Sequence, residues 1–310
     1  MNKLLFFILL IGGWAHLSQT FAQSHQLLGS DLASAKTYYN VQKALQQKEE
    51  VLQVNIRQQS YYQLPPEIYE LVNLQFINAM KNNIADISPA VGKLQQLREV
   101  NFRENELRAL PAAFYTLQNL QQADLSHNQF AEIGSGFGKM RNLQVLHLHE
   151  NKIRNISPGI RKMQSLRSLN LSYNHLEMLP PEIGRVSQLK DLVATQNQLR
   201  LVPARLFKLK KLNTIALDFN QLTALPRQVG QAKSLQTLLL GHNQLQVVPE
   251  QLGELASLEL LDLSYNELSA LPANLKNLKN LRTLILTGNA FPAAEKERIK
   301  QSLPQAYIQF

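Results

Sequence analysis

The sequence predicts an α/β solenoid: a stack of short coils sharing one curved parallel sheet along the inside of an arc. Three observations predict it. Asparagine recurs at Asn82, Asn105, Asn128, Asn151, Asn174, Asn197, Asn220, Asn243, Asn266 and Asn289, and every interval is 23 residues. Apolar residues keep the same register around those asparagines, and 57 of the 310 residues are leucine while aromatics supply only 7%. A strict period of this length marks a repeat array, in which one coil cannot bury its apolar face alone but stacked coils can.

Each coil can be numbered so that the recurrent asparagine is position 9. Positions 4 and 6 are then apolar between polar 3, 5 and 7, the alternation of a strand with one buried face. Position 18 reads Ile68, Val91, Phe114, Phe137, Ile160, Ile183, Leu206, Val229, Leu252 and Leu275. These side chains must meet the strand leucines in a common interior. Proline at position 15 (Pro65, Pro111, Pro180, Pro203, Pro226, Pro249, Pro272) suits an extended outer segment better than a long helix. A crowded inner sheet and a looser outer face curve the stack. Where the chain leaves the strand at position 9, backbone groups lose their ladder partners, and a buried amide that both donates and accepts can satisfy them. The asparagine column is therefore scaffold. Gln59 stands one period before Asn82 as a degenerate first copy, giving about 11 coils.

Residues 258–272 spell LELLDLSYNELSALP, the pattern LxxLxLxxNxLxxLP. This resembles the leucine-rich repeat family in its 23-residue LxxLxLxxNxLxxLPxxI variety, and within it the secreted bacterial members. Similar repeats also occur in cytosolic scaffolds. The resemblance covers residues 51–291 and implies a horseshoe solenoid with helical caps, and no particular partner.

Four segments are expected along the chain. Residues 1–22 read as a secretory signal peptide: Lys3 gives a positive start, residues 4–15 are apolar, and Thr20-Phe21-Ala22 precedes the cleavage point. Twelve apolar residues are too few to span a bilayer, which takes about 20. Residues 23–50 form an N-terminal cap, with Ser30-Asp31 starting a helix that carries Leu32, Tyr38, Val41, Ala44 and Leu45. Residues 51–291 form the array. Residues 292–310 form a C-terminal cap, a polar helix over 293–302 followed by a strand-like end at Tyr307-Ile308-Gln309-Phe310. The mature protein is expected outside the cytoplasm, secreted, periplasmic or at the cell surface, as a monomer with no membrane span.

The absence of cysteine excludes disulfides, thiolate metal ligands and cysteine nucleophiles. No Walker loop, nucleophile elbow, dinucleotide fingerprint or HExxH helix occurs. We therefore expect a non-enzymatic binding protein that uses no cofactor. Its net charge of +9 comes partly from a stripe at positions 20 and 22, Lys93, Lys139, Lys162, Arg185 and Lys208 with Arg141, Lys210 and Lys233. Such a stripe is a solvated face or, alternatively, a surface for an anionic envelope glycan. It lacks the interleaved aromatics that stack nucleic-acid bases, and no nucleic-acid partner is expected.

Recognition of a protein or peptide is expected on the concave face. There position 5 turns from polar to apolar at Val193, Ala216 and Leu239 before Asp262, with Leu260 beside them at position 3. Tyr173, Phe219 and Tyr265 recur at position 8 along the adjacent rim. A contiguous apolar patch flanked by aromatics marks an interface, although drift on an exposed sheet could produce the same residues. One weak metal candidate exists. His147 and His149 share a strand face, His127 precedes them at position 8, and Asp124 and Glu150 are near.

Overall fold

The computed structural model describes residues 34–310. The signal-peptide reading of residues 1–22, the Ser30-Asp31 cap and Leu32 lie outside the described residues. Among the described residues, 13 strands form one parallel sheet and two more form a small second sheet.

The chain enters through β1 (Thr37–Tyr38) and a short helix α1 (Val41–Leu45). Tyr38 therefore belongs to a strand rather than to the cap helix. That helix starts at Asn40, whose extended backbone and side chain, accepting from Lys43 N at 2.9 Å, stop it from running further upstream. Eleven coil strands follow: β2 (Gln53–Asn55), β3 (Phe76–Asn78), β4 (Glu99–Asn101), β5 (Gln122–Asp124), β7 (Val145–His147), β9 (Ser168–Asn170), β10 (Asp191–Val193), β11 (Thr214–Ala216), β12 (Thr237–Leu239), β13 (Leu260–Asp262) and β14 (Thr283–Ile285). Two outer strands, β6 (Glu132–Ile133) and β8 (Asn155–Ile156), pair where the prolines of position 15 are missing. Most coils return through a 3-10 turn of three to five residues, such as Pro181–Arg185, with proline at or beside its start.

Register follows the period. From β2 to β14 each residue of the main sheet pairs with the residue 23 positions on, as in Val193↔Ala216 and Ala216↔Leu239, whereas β1 pairs with β2 at an offset of 16. The last pairing slips by one, Thr283↔Tyr307, because helix α2 (Ala293–Ser302) replaces the outer part of a coil before β15 (Tyr307–Gln309) closes the sheet. Helix α2 is clamped to the last coil. Glu295 Oε1 accepts from Leu271 N at 2.9 Å, Arg298 Nη2 donates to Leu271 O at 2.7 Å, and buried Ile299 covers the leucines beneath.

The position-18 side chains are all buried, joining the strand leucines in one core that runs the length of the stack. The asparagines sit inside the turn that follows each strand. Asn197 is typical. Its Nδ2 donates to Leu171 O (2.9 Å), Ala194 O (3.1 Å) and Thr195 O (3.4 Å), and its Oδ1 accepts from Leu176 N (3.0 Å). Each amide thus ties its own turn to the preceding coil. The residue before it pays for that turn in conformation. Lys81, Glu104, His127, Glu150, Tyr173, Gln196, Phe219, His242, Tyr265 and Gly288 all have φ between 48° and 77°. The left-handed backbone at position 8 lines up Phe219, His242 and Tyr265 from successive coils.

Candidate functional site: the concave face and its aromatic rim

Strand residues at positions 3 and 5 face the inside of the arc. Val193, Ala216 and Leu239 are consecutive partners in the ladder and form a separate apolar cluster, with Leu260 packed against it and partly exposed. The cluster is not an open patch: Val193 is 5% exposed, Ala216 0% and Leu239 9%. The sheet crowds neighbouring side chains at the strand spacing of about 4.8 Å, so three apolar residues in a row close over one another. They form a floor, and Leu260 is its accessible edge.

Beside this floor lies an acidic recess. Gly241 has no side chain, and a Cβ there would come within 2.9 Å of Ser264 Oγ and 3.3 Å of both Asp262 carboxylate oxygens. The Gly241 backbone N–H donates to Asp218 Oδ1 at 3.0 Å. Burial and the neighbouring Asp262 push the Asp218 carboxyl up to about 7, against the hydrogen bonds from Gly241 and Thr195. Burial also raises Asp262, although Ser264 N donates to it at 2.8 Å.

Above the recess the rim carries a stack of rings. Phe219 and His242 lie 4.1 Å apart at 10°, and His242 and Tyr265 lie 4.2 Å apart at 15°. The far side of the Tyr265 ring rests on Gly288, where a Cβ would approach it to 2.5 Å. The sequence pattern of Tyr173, Phe219 and Tyr265 in alternate coils missed His242, which fills the gap and makes the ladder continuous. An imidazole at position 8 is the signal that could have revealed it. Tyr173 stands apart, separated from Phe219 by Gln196 in the position-8 column. Phe219 and Tyr265 remain 45% and 40% exposed. Parallel rings that cover each other's faces present only their edges to a partner.

The histidine group occupies the other half of the face. The three rings do meet: His127 and His149 are 5.3 Å apart edge to face, and His147 and His149 are 6.2 Å apart. Their nitrogens point to different partners. His127 Nδ1 is 2.9 Å from Glu150 Oε2, and its Nε2 is 3.2 Å from Arg103 Nη2. His147 Nδ1 is 4.0 Å from Asp124 Oδ2. Burial lowers His149 to about 4, although Asp124 opposes the shift. Among the described residues, no group of three or more histidine, aspartate or glutamate side chains is placed to hold a metal ion. Both ring nitrogens of His127 thus face partners other than His147 and His149.

A leucine rich repeat profile matches residues 134–176 and 233–291. No curated protein matches the sequence. Among solved structures, a TDR receptor is 26% identical with a TM-score of 0.70, over 78% of this chain and 44% of that one. The functional domain of InlJ from Listeria monocytogenes is 20% identical with a TM-score of 0.63, over 75% of this chain and 48% of that one. A plant peptide hormone receptor, RGFR1 in complex with RGF2, is 23% identical with a TM-score of 0.56, over 79% of this chain and 48% of that one. The chain thus spans less than half the length of each of these three proteins. The unbroken 23-residue register, the asparagine column and the parallel sheet are those of a leucine-rich repeat solenoid, and residues 134–176 and 233–291 match leucine-rich repeats directly.

Proposed function

We propose that this chain is an exported, non-enzymatic binding protein that holds a protein or peptide partner against its concave face and aromatic rim. The observation that carries the reading is the exposed Phe219–His242–Tyr265 ladder beside the apolar floor of Val193, Ala216 and Leu239. Aromatic rings already fixed in place bind without the cost of ordering them, and a partner that covers them adds buried apolar area. Leu260 and Asp262 form the accessible border of that surface, and Tyr173 extends the rim toward the histidine half. The peptide-bound plant receptor supplies a precedent for this fold receiving a peptide. Export rests on the charged and apolar start of the sequence with its small residues at 20 and 22. No helix among the described residues is long and apolar enough to cross a membrane.

The test replaces Leu260 with arginine. This residue is partly exposed, so the variant folds, and a partner seated on the floor is lost. Leu239→Arg is the poorer choice because Leu239 is buried and its change would disturb the scaffold.

A second reading uses the exposed basic stripe. Lys139, Lys162, Arg185 and Lys208 follow one another in four successive coils, and among the described residues none forms an ion pair with a side-chain carboxylate. An anionic glycan held there would be released by salt and by charge reversal at Lys139, Lys162 and Lys208. Binding that ignores salt would rule this surface out.

A further inference from the structure

One small cavity on the concave face lies away from the aromatic rim. It opens between β4, β5 and β7, is lined by Glu99, Asn101, Gln122, Asp124, Val145 and His147 among others, and has a volume of about 20 Å³. A cavity of this size holds a single water-sized group.

Its chemistry is unbalanced. Glu99 is 6% exposed, and its Oε2 is buried without a hydrogen-bond partner. A buried carboxylate oxygen left unpaired is costly, and a native fold keeps one where something else supplies the donor. Asp124 is the second carboxylate. Its Oδ1 is held by Ser126 N at 3.0 Å and Ser126 Oγ at 2.5 Å, while Oδ2 faces His147. Burial raises the Asp124 carboxyl, but the hydrogen bond and positive charge of His147 and the hydrogen bonds from Ser126 outweigh it and hold the group well below the usual carboxylate range. Asp124 is thus a fixed negative charge, and it acts with burial to push its neighbour Glu99 up to about 7. A cation entering the cavity would share the Asp124 carboxylate with His147 and would draw the proton from Glu99, whose Oε2 has no partner.

We propose that the Glu99–Asp124–His147 cavity is a lysine-recognition site, which takes the side-chain ammonium of a bound protein partner. The inference rests on the concave face being the binding surface and names one group that the partner must present. Size selects the ammonium. It is compact and its donors radiate from one atom, whereas a guanidinium is a wide planar fork. Geometry places the lysine relative to the other anchor. Seven strand steps separate β4 from β13 in the sheet, so the cavity and Leu260 are roughly 34 Å apart at about 4.8 Å per strand. An extended segment of roughly ten residues, rising about 3.3 Å each, connects them.

The probe is Nα-acetyl-lysine N-methylamide, compared with its arginine and norleucine counterparts at constant ionic strength. Binding is read from the backbone amide shifts of Asn101, Gln122 and Asp124. The lysine compound should give saturable shifts confined to these strands, and the arginine compound should bind at least about tenfold more weakly, as should the lysine compound to Glu99→Gln. Glu99→Gln preserves shape and removes only the charge, and its melting temperature at pH 8 confirms that it is folded. Absence of a saturable shift with the lysine compound overturns the proposal. So does equal binding of the arginine compound, or unchanged binding by Glu99→Gln. A lysine response that survives in Leu260→Arg, with partner capture also unchanged, would reject the aromatic-rim reading and leave the cavity assignment standing. Loss of capture in Leu260→Arg without any lysine response would do the reverse.

Discussion

Replacing Asn197 with alanine isolates what the asparagine column contributes. The variant loses four hydrogen bonds, but the groups left behind are not equally stranded. Leu171 O is also reached by Asn174 Nδ2 at 3.0 Å, and Ala194 O by Asn220 Nδ2 at 3.0 Å, so both carbonyls keep a partner from the neighbouring rung. Leu176 N is different: it donates to Asn197 Oδ1 at 3.0 Å and sits in the core side of the turn. One buried N–H without an acceptor costs about 1–3 kcal/mol, and the weakened carbonyls add a smaller amount. A total near 3 kcal/mol corresponds to a fall in melting temperature of roughly 5 °C for a chain of this size. Thermal unfolding followed by circular dichroism measures it, with Asn197→Asp as a second variant. Aspartate keeps the acceptor for Leu176 N but aims a charged oxygen at Leu171 O, Ala194 O and Thr195 O. It should therefore be worse than alanine at neutral pH and recover on acidification. An unchanged melting point for Asn197→Ala would refute the claim that the column is scaffold.

Two other perturbations follow from the concave face. Glu99 keeps its proton up to about pH 7 in the folded chain, against an ordinary value of 4.5. Between those values the folded state holds the extra proton, so this group's contribution to stability falls as pH rises and is fully lost above pH 7. The loss is on the order of 3 kcal/mol. Glu99→Gln should accordingly gain on the wild type between pH 5 and pH 8 in paired urea melts, and a constant difference would contradict the burial of that carboxyl. Gly288→Ala should cost about 1 kcal/mol or more, because the residue has φ +77° and its new Cβ would press on the Tyr265 ring. The displaced ring should show in the chemical shifts of His242, and unaltered shifts would mean that the stack does not end on Gly288.

The scaffold was legible because each of its requirements repeats. The column asparagine, a strand alternation and an apolar position 18 each recur ten times or more, and repetition at 23 residues exposes them. The left-handed backbone at position 8 was not legible. Lysine, glutamate, histidine, tyrosine, glutamine and phenylalanine all occupy it, and only Gly288 lacks the Cβ that such a backbone disfavours. His242 was passed over for the same reason, since its role appears only once its ring is seen between Phe219 and Tyr265. The apolar run at Val193, Ala216 and Leu239 was found from alternation. Alternation says which way a side chain points and nothing about whether its neighbours close over it. Glu99 left no trace in the pattern. At position 3 a glutamate reads as a solvent-facing strand residue, and its burial depends on Asp124 and His147 from the next two coils. The N-terminal cap was shifted for a local reason. Ser30-Asp31 and Asn40 are both competent helix starts, and the strand pairing of Thr37 and Tyr38 with Gln53 and Val54 leaves α1 the later one.

The central claim is that a protein partner is held at the apolar floor and aromatic rim of the concave face. The measurement that tests it most directly is parallel affinity capture with wild-type chain, Leu260→Arg and a Phe219→Ser/Tyr265→Ser double variant, each first shown to melt as the wild type does. The captured partner is then titrated against each purified protein. The account predicts one partner whose affinity for Leu260→Arg and for the double variant is lower by at least about tenfold, the usual scale for losing an interface anchor. A partner bound with the same affinity by all three proteins would contradict it.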